Sequence, residues 1–133
     1  MKKILTAFLA LAFLASCNDA TGIKDFVAGS DSVAINFYKG DGSMDAVVKV
    51  VVLRDSVQVN TLAGFIEAKQ THHNKCGVDG SLHFFKRDVV LKDVDFRMDE
   101  AGCMQFSFFM NGKSYYTELS TKAKGFLSGL KSK

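Results

Sequence analysis

The dipeptide Asn111-Gly112 constrains this chain more tightly than any other feature. It follows residues 104–110, where Met104, Phe106, Phe108 and Met110 recur at every second position, and precedes a second run rich in strand formers, Tyr115, Tyr116 and Thr117. Both turn residues tolerate the positive φ of a type I′ turn, so the segment is predicted to close a two-residue antiparallel hairpin. Such a turn sets the register. Phe108 should lie opposite Tyr115, and Phe106 opposite Thr117.

The same period of two appears upstream. Val33, Ile35 and Phe37 alternate with Ala34, Asn36 and Tyr38, as expected for a half-buried strand. After the break at Gly40-Asp41-Gly42-Ser43, residues 46–53 carry β-branched side chains on both faces, interrupted only by Lys49. They are expected to form a central strand covered on both sides and to pair with the first as a hairpin. Further strands are predicted at 82–86 and 90–98, where Val94, Phe96 and Met98 face one way and Asp93, Asp95 and Arg97 the other. Two stretches have helical spacing instead. Val59, Leu62, Phe65 and Ile66, with Asp55 and Gln58 as a capping pair, predict a helix over 56–69. Ser120 is placed to cap a second, whose stripe is Ala123, Phe126, Leu127 and Leu130. The order ββα-ββββα predicts an α+β domain, an antiparallel sheet of about six strands with two helices packed on one face.

The amino terminus has a different character. Met1-Lys2-Lys3 precedes about eleven mostly apolar residues, too few to span a bilayer, which takes roughly 20. Leu14-Ala15-Ser16-Cys17 follows directly, and this sequence resembles the lipobox of bacterial lipoproteins. The resemblance covers residues 1–17 and implies a signal peptide at 1–16 and an acylated Cys17, palmitate being among its chains. Several chains on one residue hold a protein at a membrane stably. By the sorting pattern of such proteins, Asn18 directly after the cysteine points to the outer membrane, while Asp19 weakens that direction. Residues 17–30, polar around Ile23 and Phe26-Val27, read as a lipidated tether that can dock near its end and, fully extended, reaches on the order of 40 Å. Residues 31–133 are then a single globular domain.

Loss of Lys2 and Lys3 leaves 15 basic against 14 acidic residues, a net charge of +1, which gives no electrostatic reason for a nucleic-acid partner. Lipidation of Cys17 leaves Cys76 and Cys103 as an even pair in an oxidising compartment, and a disulfide between them is expected. Each cysteine precedes a strand, and those two strands begin at the same end of a meander with one strand between them. Folding of the 77–80 loop would bring the pair within bonding distance.

Several groupings suggest chemistry. His72, His73, Cys76 and His83 lie within twelve positions, with Cys103 as a further donor, and imidazole with thiolate could hold zinc or copper. The spacing matches no familiar zinc arrangement, so solvated loop histidines and no cofactor are the expectation. Asp41, Ser43 and Asp45 have the spacing of a calcium loop, but Ala46 and Val52 stand where Gly and a bidentate Glu are required. A nucleophilic Cys76 would have to stay reduced, and Asp93, Asp95, Asp99 and Glu100 read as the wet side of an amphipathic strand and its turn. No GxSxG, HExxH or phosphate-binding glycine loop is present. The chain lacks Trp, leaving Phe and Tyr as its ring-stacking side chains.

The expected function is a non-catalytic binding module held on the envelope membrane, engaging an envelope protein or a wall or surface component. The alternative is metal handling or redox chemistry by the His72/His73/Cys76/His83/Cys103 cluster. Small disulfide-bonded lipoproteins include periplasmic lysozyme inhibitors, but the Ser-Gly-rich inhibitory loop of that group is not found here. Replacing Cys17 by Ala is expected to move the protein from the membrane pellet to the soluble fraction; unchanged partition would refute the acylated-anchor reading.

Overall fold

The Asn111-Gly112 turn forms as its residues dictate, with φ of 54° and 75°. In the computed structural model, which describes residues 20–133 apart from Gly42 and Asp45, strands β5 (Gln105–Met110) and β6 (Lys113–Glu118) flank this turn. Phe108 pairs with Tyr115 and Phe106 with Thr117, the register expected of a two-residue loop. The Phe108 and Tyr115 rings stack with centroids 5.5 Å apart. Cys17 and the rest of the signal region lie outside the described residues.

Four more strands complete an antiparallel sheet: β1 (Ser32–Tyr38), β2 (Val47–Leu53), β3 (Gly80–Lys86) and β4 (Val89–Arg97), in the spatial order β2-β1-β3-β4-β5-β6. Three helices accompany them, α1 (Ile23–Phe26), α2 (Ser56–Ile66) and α3 (Thr121–Lys131). Their buried side chains join Val33, Ile35 and Phe37 of β1, Leu82 and Phe84 of β3, Val94 and Phe96 of β4 and Phe106, Phe108 and Met110 of β5 in a single core on one face of the sheet. The class is α+β, and the other face is open.

The caps are those read from the sequence. Asp55 accepts from the backbone N–H groups of Val57 and Gln58, and Ser120 from that of Ala123. Helix α2 stops at Ile66, three residues short of the expected end, because the chain there is used elsewhere. The Glu67 carboxylate turns back to accept from Thr21 Oγ1 and Gly22 N, and the next residues line the edge of β6 through Glu118 N to Lys69 O and Thr71 N to Tyr116 O.

Two expectations are corrected. Residues 46–53 were expected as a central strand, yet β2 is an edge strand, and Val48, Val50 and Val52 are exposed on the open face, Val50 by 57%. The cause is that β-branched residues report strand propensity and not burial. The neighbour on the far side of β1 is β3, which leaves β2 paired on one side. Lys49, on the core-facing side of β2, sends its ammonium to the carbonyl oxygens of Lys131 and Lys133 at the end of α3.

The second correction concerns the segment 17–30, expected as a tether that docks near its end. Thr21, Ile23 and Val27 are buried, Ile23 completely, and α1 packs against α2. The folded body thus starts at Thr21 and not at Asp31. Three residues lie between Cys17 and Thr21, so the free reach, four Cα-to-Cα steps, falls to about 14 Å.

Where the loop from α2 enters β3, Asp79 is 1% exposed and accepts from Arg97 Nη1 at 2.7 Å, Met98 N at 2.8 Å and Asp99 N at 3.1 Å. Arg97, expected on the wet side of β4, is buried by this contact. Asp79→Ala leaves a buried guanidinium with only the exposed Glu100 as partner and is expected to destabilise the domain by roughly 3 kcal/mol or more. Urea denaturation of the variant beside the unsubstituted protein measures this.

Candidate functional site

The open face is built by alternation. Every second residue of each strand faces away from the helices, which places Asn36 and Tyr38 of β1, Ser81 and His83 of β3, Asp93 and Asp95 of β4, Ser107 and Phe109 of β5 and Ser114 and Tyr116 of β6 on that face. Two rows of side-chain hydrogen bonds cross its centre. In the first, Ser81 Oγ donates to Asp95 Oδ1 at 2.6 Å, so its single proton is committed and the Tyr38 hydroxyl, 2.8 Å away, is the donor to Ser81. In the second, the Asn36 amide donates to His83 Nε2 at 3.2 Å, which leaves His83 Nδ1 to carry the proton donated to Asp93 at 2.6 Å. Both rows join β1, β3 and β4 by side chains as well as backbone.

Beside these rows lies a cleft of about 260 Å³, lined by Asp95, Ser107, Phe109, Ser114, Tyr116 and His73. His73 arrives on the loop after α2 and lies over the Tyr116 ring, centroids 4.7 Å apart. Among the described residues the hydroxyls of Ser107, Ser114 and Tyr116 make no side-chain hydrogen bond, in contrast to the committed groups of the central rows. Phe109 is 62% exposed at the cleft margin. The cleft therefore combines available hydroxyls, a carboxylate and ring surfaces. A second cleft of about 270 Å³ lies farther along the same face, between Ala34, Val52, Arg54, Phe85 and Asp88.

The loop 71–79 that carries His73 is strapped to the sheet end. Cys76 and Cys103 form the expected disulfide, with their Cα atoms 5.8 Å apart. Asn74 Nδ2 donates to Gly102 O, and Gln105 Nε2 donates to Asn74 O. The loop thus crosses from the outer edge of β6 to the start of β3.

The candidate ligands His72, His73, His83, Cys76 and Cys103 are not brought together. His83 spends both ring nitrogens on Asn36 and Asp93, and His73 stacks on Tyr116 three strands away, a separation of about 14 Å by strand spacing. His72 borders a different cleft, with Lys69, Thr71 and Glu118. Cys76 and Cys103 do lie close to the Glu100 carboxylate, but metals take the thiolate and both sulfurs are in the disulfide. The same bond removes Cys76 as a nucleophile. Asp41 and Ser43 form a local turn: the Ser43 backbone N–H, aided by its hydroxyl, holds the Asp41 carboxyl below the usual range. Asp45 lies outside the described residues. The acids expected on the wet face are distributed singly, Asp93 to His83, Asp95 to Ser81 and Glu100 to Arg97.

Sequence reasoning missed the cleft because its lining comes from a loop and three strands distant in sequence. The signal that could have found it is the pairing register, which puts Ser107 beside both Asp95 and Tyr116. Replacing Cys76 and Cys103 together by Ser is expected to cost roughly 3 to 4 kcal/mol, from a closed loop of some 28 residues. Thermal unfolding checks this, and amide exchange at 72–78 should rise in the same variant.

Residues 1–18 match the family description of the prokaryotic membrane lipoprotein lipid attachment site. Neither a curated protein nor a solved structure matches the chain. With Cys17 as the one cysteine in the matched stretch, the chain carries a bacterial lipoprotein signal and is lipid-anchored in the cell envelope.

Proposed function

We propose that this lipoprotein is a non-catalytic binding module that uses the open face of its sheet, centred on the cleft at Asp95, Ser107, Phe109, Ser114 and Tyr116, to hold an envelope protein or a wall or surface component. The observation that carries the reading is the contrast across that face. The central side chains are committed to one another, while the cleft presents uncommitted hydroxyls beside an exposed ring. Convergent polar groups next to apolar surface in a preformed concavity are the usual composition of a binding site. A partner that fits combines hydrogen-bonding groups with an apolar ring or side chain.

The non-catalytic part of the reading is supported by how the titratable groups are used. Asp93 and Asp95 on the open face each serve a structural neighbour, and the two cysteines form a bridge buried on the Cys103 side. The anchor is Cys17, acylated before cleavage, and Asn18 favours the outer membrane as its address.

The test is site-specific photo-crosslinking in the native envelope. A benzophenone side chain at Phe109 or Ser114 is expected to yield a discrete adduct, whereas one at Val57, exposed on α2, is not. Adducts from Val57 alone would place the partner on the helical layer and overturn the proposal.

A further inference from the structure

The short spacer has a geometric consequence independent of what the open face binds. We propose that the helix-side surface around α1 and the β3–β4 turn rests on the phospholipid headgroups of the membrane that holds Cys17, with Phe26 inserted as its aromatic contact.

Thr21 is fixed in the body, its hydroxyl donating to Glu67 at 2.6 Å, and Ile23 is fully buried two residues later. The acylated residue can therefore lie no farther than about 14 Å from Thr21. A domain of this length has a radius of gyration of about 13 Å and a width above 30 Å. A leash less than half that width keeps the surface around the leash beside the bilayer. What lies there is amphipathic. Phe26, which follows Thr21 by about one helical turn, is 47% exposed, and the Lys92 ammonium sits 4.7 Å from its ring centroid. The segment after α1 joins the β3–β4 turn, since Asp31 N donates to Phe85 O and Arg87 N to Asp31 Oδ2. In that turn Val89 is 62% exposed and pairs with Lys86.

Lys24, Lys86, Arg87 and Lys92 bring positive charge to this surface, and Asp25, Asp31 and Asp88 bring negative charge. The cations outnumber the acids by four to three, and the Asp31 carboxylate is turned to the Arg87 backbone N–H and the Ser32 hydroxyl. Exposed apolar side chains beside long cationic ones suit a bilayer interface: the rings enter the headgroup region while the ammonium groups stay among phosphates. The open face then points away from the lipid, toward the compartment where a partner would be met.

The chain has no Trp, so a single introduced indole reports without background. The lipidated protein carrying Phe26→Trp is placed in vesicles of phosphatidylethanolamine and phosphatidylglycerol with brominated acyl chains. Its emission is expected to shift to the blue and to be strongly quenched, whereas Val50→Trp, on the open face, shows neither change. Equal behaviour of the two, or quenching of Val50→Trp alone, overturns the proposal. A second measurement needs no substitution. Amide exchange of the unsubstituted lipidated protein is compared on vesicles and in solution, and residues 24–31 and 86–90 are expected to slow on vesicles while residues 47–52 do not. Unchanged exchange at 24–31 is likewise decisive against it.

Discussion

Asp79 is the contact on which the sheet depends. Its carboxylate is almost wholly removed from water and accepts from Arg97 and the backbone N–H groups of Met98 and Asp99. Its own backbone pairs to both sides, N–H to Phe96 O and C=O from Tyr38 N. A buried carboxylate is tolerable only when its charge is met and its lone pairs are filled. Meeting that requirement fixes where the 71–79 loop ends and therefore which residue begins β3. Gly80 follows at once. A Cβ there would fall on the Phe96 ring and the Asn36 carbonyl oxygen, so glycine lets the Phe37 and Phe96 rings meet edge to face at 5.9 Å. The insertion of β3 between β1 and β4 is thus specified by two adjacent residues.

The parts legible in the sequence are those decided locally. The Asn111-Gly112 turn, the Asp55 and Ser120 caps and the alternation of Val33, Ile35 and Phe37 each depend on a handful of neighbouring residues. The cysteine pairing was legible for another reason, the parity left once Cys17 is set aside. The position of β2 was not, because a valine-rich run looks the same at an edge as in the middle, and only the partner of β1 on its other side decides. Helix α1, of four residues, gives no periodicity, and its docking rests on Glu67 some 45 positions away. The β3–β4 turn was hidden too. Arg87 and Asp88 take φ of 50° and 63° without a glycine, and Asp31 holds the Arg87 backbone in place. The candidate site was least legible, being assembled by register from β4, β5, β6 and a distant loop.

The open face shows how a sheet covered on one side can keep a defined surface on the other. A bare antiparallel face gains little from burial, so side-chain bonds between strands take over part of the work. Tyr38-Ser81-Asp95 and Asn36-His83-Asp93 each tie the inserted strand β3 to both of its neighbours. Toward β6 the same pattern of polar residues continues without mutual bonding, and there the disulfide-held loop brings His73 onto Tyr116. The rigid and the available halves of one surface therefore differ in hydrogen bonding more than in composition.

The edge at β2 follows from the same division. An edge strand with exposed valines invites pairing, and proteins commonly guard such edges with an outward lysine. Lys49 is instead drawn to the carbonyl oxygens at the end of α3, where a cation also opposes the helix dipole. The charge that would protect the edge is spent on attaching the last helix to an edge strand. That use is coherent in a small domain, because β2 gains from α3 the tertiary support it lacks from a second neighbouring strand. The cost is an apolar row at Val48, Val50 and Val52 left open to solvent.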